Sequence, residues 1–175
     1  MQANFKKALV LFLIAVISGL GIWMANLATE EQIALNERNR ELDFYREILT
    51  VDDSYELDTI EVDLGDGLTE VTVFEADNPT NEFGLVYKGA DKNSYGDITI
   101  LVGIKDDAIL SVVISGSTNT PNFVKRVEKN NLGNFEGMSV STVTYDDKTG
   151  ASFTYGSVSE VVMMATQAYA ERGNE

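Results

Sequence analysis

Asp97–Ile104 reads DITILVGI, Ile109–Ser115 reads ILSVVIS, and Lys105-Asp106-Asp107-Ala108 lies between them. Both runs are short, rich in β-branched residues and bounded by turn formers, which predicts two strands joined as a hairpin. Further out, Ile60-Glu61-Val62-Asp63-Leu64 alternates apolar and acidic residues with a period of two, and Gly65-Asp66-Gly67 supplies a turn after it. Glu70–Phe74 and Phe83–Tyr87 predict two more strands, and Ser139–Tyr145 (SVSTVTY) another. Asn122–Asn131 predicts a short helix with Phe123, Val124 and Val127 on one face. Ser157–Glu171 predicts a longer one, with Val158, Val161, Val162, Ala165, Ala168 and Tyr169 at helical spacing. Residues 51–175 therefore read as one α+β domain with mostly antiparallel pairing.

Ahead of that domain, Ala8–Leu27 (ALVLFLIAVISGLGIWMANL) carries no charge. About 20 apolar residues let a helix cross roughly 30 Å of hydrocarbon, and Trp23 suits an interface position. Residues 1–28 thus predict a single N-terminal transmembrane anchor. A cleaved signal peptide is the rival reading, but the run is long for one and no A-x-A site follows. Lys6 and Lys7 precede the run and Glu30 and Glu31 follow it, so the positive-inside rule predicts a single-pass cell-membrane protein, N-terminus cytoplasmic and C-terminal domain extracytoplasmic. Residues 29–50 hold neither Pro nor Gly and space Ile33, Leu42, Tyr45, Ile48 and Leu49 between charges. They predict a helical stalk or, alternatively, the first helix of the domain.

The formal net charge is -15. Two of the 13 basic residues precede the apolar run and all 28 acidic ones follow it, leaving 11 against 28, a net of -17. Such a surface repels nucleic acid and anionic headgroups. The chain has no Cys and no His. That excludes thiol catalysis, Fe–S ligation by this chain, His-held haem and the usual zinc sites, and removes the usual general base.

One segment stands out chemically: Asp146-Asp147-Lys148-Thr149-Gly150-Ala151-Ser152-Phe153-Thr154, before the last helix. Gly150 and Ala151 admit close approach of a ligand, and Ser152, Thr154 and Ser157 crowd hydroxyls near a helix start, whose N–H donors and dipole favour a phosphate. Ser or Thr at such a place is more often a plain N-cap.

Asp146–Ser152 resembles the flavinylation motif D-x-x-S/T-G-A-S/T of FMN-binding domains, which occur in the G subunit of the Rnf electron-transport complex and in the C subunit of the sodium-pumping NADH:quinone reductase. Ser152 stands where the family usually has Thr. Tyr95-Gly96-Asp97-Ile98 with Leu101-Val102-Gly103-Ile104 resembles the family's G-Y-x-G-x-I…V-G-I stretch. Asn119-Thr120-Pro121-Asn122 lies where the family has E-T-P-G, with Asn119 replacing the acid and Asn122 the glycine, and Phe135-Glu136-Gly137 resembles its F-x-G. The pieces keep the family's order from about Tyr87 onward, and the short chain is most similar to the Rnf G subunit.

The resemblance implies FMN joined by a phosphodiester to Ser152, with Asp146, Thr149, Gly150, Ala151 and Thr154 around the attachment and Thr120, Pro121 and Tyr95 beside the ring. Phe153 is a second candidate for stacking. It implies a non-catalytic electron-transfer subunit of an ion-translocating ferredoxin:NAD oxidoreductase, matured by an FMN transferase and partnered by the other membrane subunits. Two further readings fit the same residues: a stand-alone extracellular flavoprotein carrier, and a non-redox surface or assembly domain with a decayed motif.

Overall fold

A computed structural model describes residues 2–144 and 151–173, and the side chains from Lys6 onward. The chain divides into two compact units, residues 1–40 and 41–175. Helix α1 spans Gln2–Leu49. Its apolar stretch reaches a mean hydropathy of 2.5 and is long enough to cross a membrane. Leu11, Phe12, Ile17, Ile22 and Trp23 are all exposed along it.

The second unit is a five-stranded antiparallel sheet in the order β1-β2-β3-β4-β5: Leu57–Gly65, Leu68–Glu75, Asn78–Asn93, Gly96–Lys105 and Ala108–Ser117. Each strand pairs with its neighbour in sequence, so short turns suffice. In the β4–β5 turn Asp106 and Asp107 both have positive φ, 51° and 60°, the geometry whose twist matches that of the strands it joins. Helix α2 (Pro121–Asn130) and helix α3 (Ser152–Arg172) follow β5.

The nearly continuous apolar run of β4 is explained by burial on both faces. Ile98, Ile100, Val102 and Ile104 point into a core with Val158, Val161, Val162 and Ala165 of α3 and Val127 of α2. Leu101 points the other way, into a second core that Tyr45, Ile48 and Leu49 of α1 form with Val71, Val73 and Val86. Residues 41–49 therefore pack onto the sheet as part of the domain, and Glu41 pairs with Lys88 there.

Glycines set how closely the two helices approach. A Cβ on Gly89 would lie 2.3 Å from Val161 Cγ1, and one on Gly103 would lie 2.1 Å from Ile48 Cγ2. Near its C-terminus α3 is tied down by charge. Tyr87 Oη donates to Glu70 Oε2 at 2.8 Å, and Arg172 Nε lies 3.7 Å from Glu70 Oε1.

Three boundaries differ from the sequence expectation. Of the strand expected at Ser139–Tyr145, residues 139–144 form no strand: they make one bridge, Ser139 to Ala108, and then a 3-10 turn over Val140–Thr142, while Tyr145 lies outside the described residues. There Thr142 N–H bonds to Ser139 O and Val140 N–H to Asp107 O, and Val140 and Val143, three apart, both pack on the α3-side core from this turn. The last helix begins at Ser152 rather than Ser157, because Ser157 Oγ bonds back to Phe153 O and Gly156 sits on the exposed side. The strand expected at Phe83–Tyr87 extends over Asn78–Asn93, since it has a partner on each side.

Two outcomes follow. Gly89→Ala and Gly103→Ala should each lower the urea-unfolding free energy by about 1–3 kcal/mol through overpacking, and Val161→Ala should offset part of the Gly89→Ala loss while leaving Gly103→Ala unchanged. Tyr45 and Tyr87 are both held above the ordinary phenol value of 10.0, first by burial, then by the charges of Glu41 and Glu61 for Tyr45 and by the hydrogen bond to Glu70 for Tyr87. The fold keeps these protons while the unfolded chain loses them near pH 10, so their contribution is complete below about pH 10 and falls above it. Urea midpoints measured from pH 8 to 11 should drop above pH 10, and the drop should shrink in Tyr45→Phe/Tyr87→Phe.

Candidate functional site

The start of α3, the start of α2 and the β3–β4 turn converge on one end of the sheet. Asn93 organises the turn: its Oδ1 accepts from Tyr95 N–H at 2.9 Å, and its Nδ2 donates to Ser157 Oγ of α3 at 2.8 Å. Gly96 has φ 132°, and a Cβ there would meet Thr118 Oγ1 at 2.4 Å, so only glycine closes this turn. Thr118 in turn accepts from Asp97 N–H through Oγ1 at 2.8 Å and donates its own N–H to Asp97 O at 2.8 Å. The turn thereby presents Tyr95 at 41% exposure.

Tyr95 is the centre of an aromatic cluster. Its ring lies 5.0 Å from that of Phe123 on α2, tilted, and 5.5 Å from that of Phe153 on α3, edge to face. Phe153 is 56% exposed. Exposed aromatic rings at this spacing form an apolar surface against which a planar ligand can lie.

Ser152, the first residue of α3, is exposed next to Phe153. Ala151 occupies the N-cap position, where no side chain of the described residues caps the helix, and is itself buried. A helix start lies at the positive end of the helix dipole, which favours an anion. Thr120, at the N-cap of α2, and Pro121 after it are both exposed, and no side-chain bond from Thr120 caps that helix.

Thr154 does not share this surface. It is completely buried, and its Oγ1 accepts from Asn119 Nδ2 at 3.2 Å. Asn119 is 3% exposed, and its Oδ1 has no hydrogen-bond partner among the described residues. The Thr154 hydroxyl is thus engaged in a buried bond between the loop before α2 and the first turn of α3. Ser157 is likewise buried and bonded to Asn93 and Phe153.

Of the residues expected around a flavin, Ser152, Ala151, Tyr95, Thr120 and Pro121 lie at this end of the domain, whereas Asp146, Thr149 and Gly150 fall outside the described residues. The described residues fit an FMN ester chemically: an exposed hydroxyl on a helix start, beside a cluster of partly exposed rings. Phe123, expected on one face of its helix with Val124 and Val127, packs against the core and also meets Tyr95, and Asn93 had no expected role. The signal for Phe123 was its place three residues after Thr120, one helical turn on; Asn93 carried none, since its two partners are distant or local only through the turn.

No family model matches the chain, and no curated protein matches it.

The Asn119–Thr154 bond gives a direct test. Thr154→Val keeps the shape but leaves the buried Asn119 Nδ2 without its partner, which should cost about 1–3 kcal/mol in urea unfolding; the exposed neighbour substitution Ser152→Ala should cost about 1 kcal/mol or less.

Proposed function

We propose that the chain is a membrane-anchored electron carrier whose FMN is esterified through its phosphate to Ser152, working as the G-type subunit of an Rnf-like ion-translocating complex. The observation that carries this reading is the adjacency of an exposed Ser152 hydroxyl at the start of α3 to the Tyr95–Phe123–Phe153 ring cluster. The resemblance of Asp146–Ser152 to a flavinylation motif also supports it.

The bound isoalloxazine would supply electron acceptance and donation, which none of the twenty side chains offers at this site. The chain's own residues do the rest. Ser152 Oγ would supply the ester oxygen: under a dedicated FMN transferase its bond to the flavin phosphorus would form as the phosphoanhydride bond of an activated FMN donor breaks, the hydroxyl proton leaving with the departing phosphate group. The first turn of α3 stabilises the remaining phosphodiester charge. Tyr95 and Phe153, both exposed, would provide apolar contact for the ring. Asn119 and Thr154 act one layer below, holding the start of α3 against the loop that carries Thr120 and Pro121. An amide suits this buried position, because a carboxylate there would require a compensating charge.

A tether replaces binding affinity with permanent local concentration. That matters on the outer face of a membrane, where the positive-inside reading of Lys6 and Lys7 puts the domain and a released cofactor would be diluted away.

Co-expression of the full chain with an FMN transferase should add the mass of FMN less one water, and the band should fluoresce on a denaturing gel. Ser152→Ala should abolish both while the protein stays folded, and Ser152→Thr should restore both. An unmodified, colourless wild-type chain under conditions that flavinylate a control domain would overturn the proposal.

A further inference from the structure

Strand β1 is one edge of the sheet, pairing only with β2 among the described residues. Within a strand, alternate residues turn their N–H and C=O outward, so an edge leaves a row of backbone groups without strand partners. On the face shared with α3, β1 carries Ile60, Val62 and Leu64, exposed by 55%, 46% and 45%. Val62 and Leu64 line one wall of a groove of about 500 Å³ whose other wall is α3 and whose floor includes Leu68 and Glu70. On the opposite face Glu61 and Asp63 alternate with them and are also exposed. An apolar row and an acidic row therefore run along the two faces of one open edge.

We propose that β1 takes up a partner segment as an added strand, the segment alternating apolar residues toward Ile60, Val62 and Leu64 with Lys or Arg toward Glu61 and Asp63. Backbone hydrogen bonds to the open edge supply affinity, and the alternating side chains supply specificity, as in other strand-addition interfaces. Cross-strand opposite-charge pairs are favourable and like-charge pairs are not. That decides the occupant. A second copy of β1 would set Glu61 and Asp63 against the same acids, and the net charge of -17 carried by the residues after the apolar run opposes the approach of any copy of itself. A basic strand meets the opposite sign at both ranges. A charged edge alone is what proteins use to stay monomeric, but that device needs no row of exposed Ile, Val and Leu beside the acids. The inference uses no part of the flavin reading and stands or falls apart from it.

The test uses the full chain in nanodiscs and a fluorescent octapeptide alternating Lys with Val. By anisotropy it should bind about ten-fold tighter than a Lys/Ser octapeptide of equal charge and than a Glu/Val octapeptide. Amide exchange across 60–64 should slow on binding. Glu61→Lys/Asp63→Lys, at two exposed positions, should invert the preference in favour of the Glu/Val peptide, and Val62→Ser should weaken both by about ten-fold. Equal binding of the Lys/Val and Lys/Ser peptides would mean bulk charge attraction and would overturn the proposal. So would binding without slowed exchange in β1, which would point to a helix in the groove, or concentration-dependent self-association abolished by Val62→Ser, which would point to a second copy.

Discussion

One sheet here carries a helix on each face, and the contact on each side is set by a glycine. Gly89 admits Val161 of α3, and Gly103 admits Ile48 of α1. These two approaches lie on adjacent strands, β3 and β4, where both faces are buried. Because a packed interior transmits small displacements rather than absorbing them, the depth at which α3 seats on the sheet also fixes where its first turn emerges. The start of α3 in turn carries Ser152 and Phe153. Packing at Gly89 and chemistry at Ser152 are thus two ends of one helix.

At that end, position is set by short polar bonds between elements far apart in sequence. Asn93 spans 64 residues to reach Ser157, and Asn119 spans 35 to reach Thr154. Each such bond is modest in net energy but costly to leave half-made when buried. The loop before α2 is therefore held to the first turn of α3 by a buried bond, and the β3–β4 turn by a part-buried one. A surface assembled this way is preorganised, which is what a planar, partly exposed ligand needs if a protein partner is to approach it repeatedly.

The domain's acidity and the apolar row on its β1 edge belong together. The net charge of -17 over the residues after the apolar run disfavours self-association and contact with anionic surfaces. It leaves basic protein surfaces as the partners that electrostatics will steer in. Where those acids alternate with exposed Ile60, Val62 and Leu64 on an unpaired strand, long-range charge and short-range shape act on the same segment.

The sequence by itself determined the elements whose signals are local. The run Asp97–Ile104, the alternation at 60–64 and the Gly65-Asp66-Gly67 turn fixed the strands of an antiparallel sheet, and the uncharged stretch Ala8–Leu27 fixed a helix able to span a membrane. Ser152, Thr154 and Ser157 were marked together by hydroxyls beside Gly150 and Ala151, and only the resemblance of Asp146–Ser152 to a flavinylation motif singled out Ser152. Other features depended on partners remote in the chain and were decided only in three dimensions. Ser139–Tyr145 has the β-branched composition of a strand, yet Ser139 meets β5 at only one bridge, and the backbone then turns on itself. Thr154 looks like a phosphate ligand in one dimension, but its hydroxyl is buried against Asn119. Tyr95 and Phe123, 28 positions apart, become neighbours only because α2 and the β3–β4 turn meet at the same end of the sheet. Periodicity records which face a residue turns inward; it does not record what waits there, because that is set by close packing among segments whose separation in sequence carries no pattern.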